Sequence, residues 1–231
     1  MAAVTSRAFP LSALAATLAL GLAACGQNAD TSGGGGTDAA NGPDTIDDTK
    51  TGALSEMTQG SADAPVTVIE YASVTCPGCA AFHEQVYPSI KQDYIDTGKV
   101  RFVFREFPTN PEELSVAGSM LARCAADKGG KEAYFLVIDA LFKTQREWIY
   151  GDTRDELLKI ASQVGLDEAA FNACVGRQEL VDLINDNISY GRDRYDVQST
   201  PSFIVNGTLR HFSNAADMAK ALDEALEKAE S

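Results

Sequence analysis

The sequence predicts an α/β domain interrupted by an all-helical insertion, and three observations carry that reading. Runs of β-branched and aromatic residues stand near positions 66–71, 100–107 and 202–212, the pattern of strands. A helical segment lies between the first two, which makes them candidate parallel neighbours in a βαβ unit. From about 111 to 194 strand signals nearly vanish, and apolar residues recur at helical spacing instead.

Val66-Thr67-Val68-Ile69-Glu70-Tyr71 is the first strand, entered through Ala64-Pro65, and a helix follows from about Pro77 to Asp96, closed by Thr97-Gly98. Val100 to Phe107 is the second strand. In the insertion, Leu114, Ala117, Leu121 and Cys124 share one helical face, and Leu136 and Ala140 mark another. Gly129-Gly130 and Gly165 separate its helices, and Tyr150-Gly151-Asp152-Thr153 offers a loop with an N-cap. Tyr134, Phe135, Phe142, Trp148 and Tyr150 are expected in the core. Ser202-Phe203-Ile204-Val205, the Asn206-Gly207 turn and Thr208 to Phe212 form a hairpin. An amphipathic helix from about Asn214 to Ala229 ends the chain.

Lys and Arg total 19 against 33 Asp and Glu, a formal charge of -14. Nucleic-acid binding wants a basic face, so the balance argues against that partner. At the N-terminus, Arg7 precedes an apolar run from Leu11 to Leu22 and then small residues, the layout of an export signal over residues 1–24. The run is too short to span a bilayer. Leu22-Ala23-Ala24-Cys25 resembles a bacterial lipobox, in which Cys25 would be lipidated and become the first mature residue; the alternative is ordinary cleavage that leaves Cys25 a stray thiol. Residues 25–60 are rich in Gly, Asp, Thr, Asn and Ala, including Gly33 to Gly36. Such a composition cannot bury enough apolar surface to offset ordering, and a flexible tether is expected, with a mean reach of about 30–35 Å.

Five cysteines in an exported chain leave one unpaired or modified. Assigning Cys25 to lipid makes the rest even, with Cys76 and Cys79 as one pair and Cys124 and Cys174 as a second, in a compartment where disulfides persist. A Cys124–Cys174 bond would close a loop worth on the order of 4 kcal/mol in loop entropy. Two buried free thiols, packing as small hydrophobes, are the alternative.

Thr75-Cys76-Pro77-Gly78-Cys79 carries the chemistry. A structural zinc site needs four ligands, and the chain has a single C-x-x-C cluster and two histidines. A soft copper site from Cys76, Cys79 and His83 is what remains of the metal reading. A redox pair fits better. A strand leading into this motif puts Cys76 at a helix N-terminus, where free N–H groups and the macrodipole favour a thiolate, and Pro77 suits the first turn. Cys76 is then the nucleophile, and Cys79, a turn deeper, resolves the mixed disulfide.

These residues resemble the DsbA-like thiol:disulfide oxidoreductases of bacterial envelopes, which have a thioredoxin fold. The resemblance runs over residues 61–231: APVTVIEYASVTCPGC is similar to the family's catalytic segment, residues 111–194 to its helical insertion, and STPSFIVNG to its cis-proline loop. It implies that Pro201 is a cis-proline packed beside the disulfide. It also implies that the Thr200 backbone, with Pro201, Pro77 and Gly78, meets an extended client peptide. Glu70 falls where the family has a buried acid below the second cysteine, from which it could move protons to or from Cys79; a solvated strand-edge carboxylate is the alternative. Oxidising members often carry His where this chain has Gly78, which leaves the redox direction open. His83 reads as an exposed or otherwise satisfied helix residue, and His211 as a strand residue.

The resemblance further implies a monomeric enzyme with no cofactor beyond the Cys76–Cys79 disulfide. Its clients would be unfolded exported proteins bearing cysteines, and its reoxidant a quinone-linked membrane partner, with the enzyme lipid-anchored in the periplasm. The alternatives are an isomerase or reductase kept reduced by a membrane donor, and a client-binding chaperone or copper-handling lipoprotein in which the dithiol is incidental.

Overall fold

A computed structural model describes residues 46–231. The expected export signal, Cys25 and the greater part of the expected tether lie outside the described residues. A five-stranded sheet in the order β1-β3-β2-β4-β5 organises the rest. β2 (Val66–Ala72) is central, parallel to β3 (Val100–Glu106) and antiparallel to β4 (Ser202–Val205). β5 (Thr208–Arg210) pairs with β4 through the Asn206-Gly207 turn, where φ is +44° and +79°, the conformation a tight hairpin needs.

Register follows from burying β2 on both faces. Val66, Val68 and Ala72 enter the larger core with Phe102, Phe104 and Phe203, whereas Ile69 and Tyr71 pack on the other face with Val103, Tyr195 and Ile204. Period-2 alternation therefore sends Glu70 into the larger core, flanked by Phe104 on β3 and Phe203 on β4.

The single helix expected over 77–96 is broken. α1 (Pro77–Gln85) and α2 (Tyr87–Ile90) are followed by a π turn at Lys91–Ile95. Pro88 is the cause: it has no N–H to give to Glu84 O, and its ring crowds that carbonyl. α3 (Glu112–Lys143) changes direction at Gly129-Gly130, where Gly130 takes φ +68° and ψ −162°, open to glycine and strained for other residues. α4 (Gln145–Tyr150), α5 (Thr153–Gln163), α6 (Glu168–Cys174), α7 (Gln178–Tyr195) and α8 (Ala215–Ala229) complete the chain. Asp152 and Asp167 cap α5 and α6 by accepting from the N–H of Asp155 and Ala170. α7 lies close on the sheet at Gly191, where a Cβ would come within 2.8 Å of the Tyr71 ring.

Three expectations need correction. Order begins before residue 60: a 3-10 turn at Gly52–Leu54 leads into β1 (Met57–Gln59), antiparallel to β3. Ala53 and Met57 are fully buried there. Arg123 holds this segment by donating to the Ala53 and Ser55 carbonyls at 3.0 and 2.8 Å, while Asp127 accepts from the Ala53 N–H at 2.7 Å. Leu136 and Tyr150 are exposed, at 62% and 80%, because Leu136 shares the outer face of α3 with Glu132, Asp139 and Lys143 and Tyr150 that of α4 with Arg146 and Glu147, although Trp148, Tyr134, Phe135 and Phe142 are buried. His211 lies just beyond β5 and is exposed, since the strand ends at Arg210 once its pairing with Phe203 is made. His83 is the satisfied helix residue rather than the exposed one: its side chain is 6% accessible and meets Glu70.

Candidate active site

β2 delivers the chain through Ser73-Val74-Thr75 to Cys76, the N-cap of α1, with Pro77 in the first turn. Hydroxyls lock this bend. Ser73 Oγ lies 2.9 Å from Thr75 Oγ1 and 2.8 Å from Ser115 Oγ, and Thr75 Oγ1 donates to Thr109 O at 3.1 Å. Gln145, buried on α4, donates through Nε2 to Val74 O at 2.9 Å and Cys76 O at 3.0 Å. The helical insertion thus holds the Cys76 carbonyl. No sequence pattern marks Gln145, because its role depends on a contact some 70 residues away in the chain, at separations of 71 and 69.

Cys76 is half-buried, Cys79 is buried, and both are thiols. The Cys76 sulfur also meets the opposite loop, where the Thr200–Pro201 peptide is cis and Cys76 Sγ donates to Thr200 O at 3.3 Å. Gly78 leaves this mouth open: a Cβ there would stand 3.4 Å from Pro201 Cδ and 3.7 Å from Cys76 Sγ. Cys76, Pro77, Gly78, Thr200 and Pro201 therefore form one rim, with Cys79 beneath it.

The two thiols are pushed apart in acidity. Cys76 is lowered to about 5, first by a hydrogen bond from the Cys79 thiol, then, against the opposing effect of burial, by the Thr200 side chain and the N–H groups of Cys79 and Gly78 in the first turn of α1. Burial drives Cys79 the other way, well above the usual thiol range, with the Cys76 sulfur and the Glu70 charge adding to it.

Glu70 is completely buried. Its Oε2 lies 2.8 Å from His83 Nε2, and its Oε1 is buried without a hydrogen-bond partner. His83 is thus engaged with the acid rather than with the cysteines, which takes it out of the copper set considered above, and among the described residues no group of three or more His, Cys, Asp or Glu is placed to hold a metal ion. Elsewhere, Cys124 and Cys174 are joined by a disulfide between α3 and α6, with Cα atoms 5.9 Å apart. No helix among the described residues is long and apolar enough to cross a membrane.

Comparison with known proteins agrees with this geometry. A family model described as Thioredoxin matches residues 53–224. A Rickettsia bellii relative named as a candidate protein-disulfide oxidoreductase is 32% identical over 174 residues, 75% of this chain and 65% of the relative; the chain thus spans a little less than two thirds of that protein's length. Disulfide bond formation protein D of Bacillus subtilis is 28% identical over 182 residues, covering 72% of this chain and 75% of that protein. The crystal structure of alpha-DsbA1 from Wolbachia pipientis matches with a TM-score of 0.68 at 29% identity, over 80% of this chain and 98% of that one. The dithiol at the head of α1, the cis-proline loop that faces it and the helical insertion after β3 place this chain in the thioredoxin family, among the DsbA-like thiol:disulfide oxidoreductases.

Proposed function

We propose that this protein introduces disulfides into exported proteins by exchange through Cys76 and Cys79. The observation that carries the reading is the split between the thiols, Cys76 lowered to about 5 and Cys79 pushed up. A stabilised thiolate favours the reduced form of the pair, which makes the disulfide an oxidant. It also makes Cys76 the better leaving group, so client release is fast.

In the oxidising direction a client thiolate attacks Cys76 Sγ. The Cys76–Cys79 bond breaks, and Cys79 leaves and takes up a proton. The client's second thiolate then attacks its own sulfur in the mixed disulfide, and Cys76 departs as a thiolate. Thr200 and Pro201 present main chain to the client, whose extended backbone pairs with them without sequence preference. Pro77 and Gly78 keep the approach to Cys76 clear. Glu70 handles the proton of Cys79, and the Cys124–Cys174 bond steadies the insertion.

The wider reading places the enzyme in the bacterial envelope after removal of residues 1–24, as a monomer tethered by lipid on Cys25 and reoxidised by a quinone-linked membrane protein. The potential of the Cys76–Cys79 pair in glutathione buffers tests the direction. A value near -120 mV, about that of strong oxidants, is expected, and one near the thioredoxin value of about -270 mV would turn the reading to a reductase or isomerase. Cys79→Ser is expected to accumulate mixed disulfides on Cys76. Client binding unchanged in both Cys76→Ser and Cys79→Ser, with no trapped species, would point to a chaperone or copper-handling lipoprotein instead.

A further inference from the structure

We propose that His83 is a positioning residue for this exchange: it links the buried Glu70 carboxylate to an open groove and so lets Cys79 give up and recover its proton. The proposal rests on the reading of Cys76 and Cys79 as an exchanging pair.

The problem it solves is one of access. Cys79 is fully buried, and so is Glu70, so neither can trade a proton with water directly. Glu70 Oε2 is taken by His83 Nε2 at 2.8 Å, while Oε1 is buried with no partner. A bare carboxylate oxygen in the interior is costly unless it serves something, and a proton passed from Cys79 would relieve that cost. His83 reaches the other way as well. The residue also helps line a groove of about 530 Å³ together with Tyr87, Pro88, Phe135, Leu136 and Asp139. One imidazole thus touches the buried acid on one side and the groove on the other, and its two nitrogens can accept a proton at one and release a proton at the other.

The surroundings of His83 suit passage rather than a fixed ion pair. Phe142 of α3 stacks on its ring at 4.5 Å, Phe104 of β3 meets it edge-on at 6.0 Å, and Phe82 of α1 lies at 5.3 Å. Tyr87 of α2 is 4.8 Å away, with its hydroxyl held protonated by burial and by the charges of Glu70, Asp96 and Asp139. The charged groups on the groove side are Lys91 from the π turn and Glu132 and Asp139 from α3. Glu70 is the charged partner on the buried side.

The step balances without an added redox reagent. When Cys79 closes a mixed disulfide at Cys76, the Cys76–Cys79 bond forms, the bond to the partner sulfur breaks, and the partner leaves as a thiolate. The Cys79 proton passes to Glu70, the imidazole releases one into the groove, and the departing thiolate draws one from water. Opening of the disulfide by a client runs the same route in reverse.

The test follows closure directly in the full chain. Reduced protein is mixed with excess glutathione disulfide across a pH series; acid quenching and mass analysis separate attack by Cys76 from closure by Cys79. His83→Gln keeps an N–H for Glu70 but has no titrating ring. Closure is expected to slow by about 100-fold with a flattened pH profile, and adding His83→Gln to Glu70→Gln should slow it no further. Closure at the parent rate and pH profile, while Cys79→Ser still traps glutathione on Cys76, would overturn the relay alone. Loss of that trapping would overturn the exchange reading and the relay with it. If His83→Gln does not fold, ring-proton NMR of the unaltered chain decides, because it holds two histidines and His211 is exposed. The His83 titration must differ between the disulfide and dithiol states, and identical curves would overturn the proposal.

Discussion

Two buried carboxylates stand on adjacent parallel strands, Glu70 within β2 and Glu106 at the end of β3, and the protein treats them in opposite ways. Glu106 accepts from Arg123 Nε and Nη2 at 2.6 and 2.7 Å, from the Tyr134 hydroxyl at 2.7 Å and from Asn187 Nδ2 at 2.9 Å. Arg123 gives its Nη1 donors to the Ala53 and Ser55 carbonyls. Glu70 has His83 and a bare oxygen. A carboxylate with four donors and a permanent cation is fixed in place and ties β3, α3, α7 and the segment before β1 together. One with a single histidine partner and a bare oxygen is held far less tightly, and it is this one whose charge bears on Cys79.

The largest expected effect tests the first half of that contrast. Glu106→Ala leaves the Arg123 guanidinium buried without its counter-charge and should cost about 3–5 kcal/mol. For a domain of this size that lowers Tm by about 6–20 °C. Urea unfolding of the reduced and oxidised forms checks it. A loss below about 1 kcal/mol would mean that the network is far less closed than its geometry implies.

Glu70→Gln is the matching change on β2, and its signature should be kinetic. Stability should move by less than about 2 kcal/mol, since no permanent cation is stranded. Closure of the mixed disulfide by Cys79 should slow by about a hundredfold, read by the same quench measurement. A protein that unfolds as readily as Glu106→Ala but closes at the parent rate would reverse the assignment of the two acids.

The contrast also marks what the sequence could disclose. β2, the head of α1 and the β4–β5 hairpin rest on local signals: a β-branched run, Pro after the first cysteine, and Asn-Gly at positive φ. The parallel β2–β3 pairing follows from the helix between them. β1 escaped because Met57 is its one apolar residue and its anchor, Arg123, is remote in sequence. The break at Pro88 was open to reading, since a proline inside a helical pattern removes a donor. Glu106, Arg123 and Gln145 carry no motif, and their burial is decided by packing between distant elements. Glu70 stood out as an acid in an apolar strand, but its bond to His83 did not, because helix spacing says nothing of which strand residue a side chain reaches.

The smallest effect concerns the two sulfurs above Glu70 and is read as a slope. The disulfide carries no thiol proton. In the dithiol form Cys76 loses its proton above about pH 5, whereas Cys79 keeps its own well beyond the usual thiol range. The two-electron potential should therefore fall by about 59 mV per pH unit below pH 5, where two protons accompany reduction, and by about 30 mV per unit above it, where one does. Stability of the reduced form obeys the same linkage. Cys76 is depressed from its ordinary 9.0, so its stabilising contribution is complete above about pH 9, shrinks as pH falls and is gone below about 5. Glu70 enters as a deviation: if the Glu70–His83 pair binds protons differently in the two redox states, the slope above pH 5 departs from 30 mV and returns to it in Glu70→Gln. A slope of 59 mV throughout, in both proteins, would mean that Cys76 holds its proton to high pH, and the thiolate on which the oxidising reading stands would be absent.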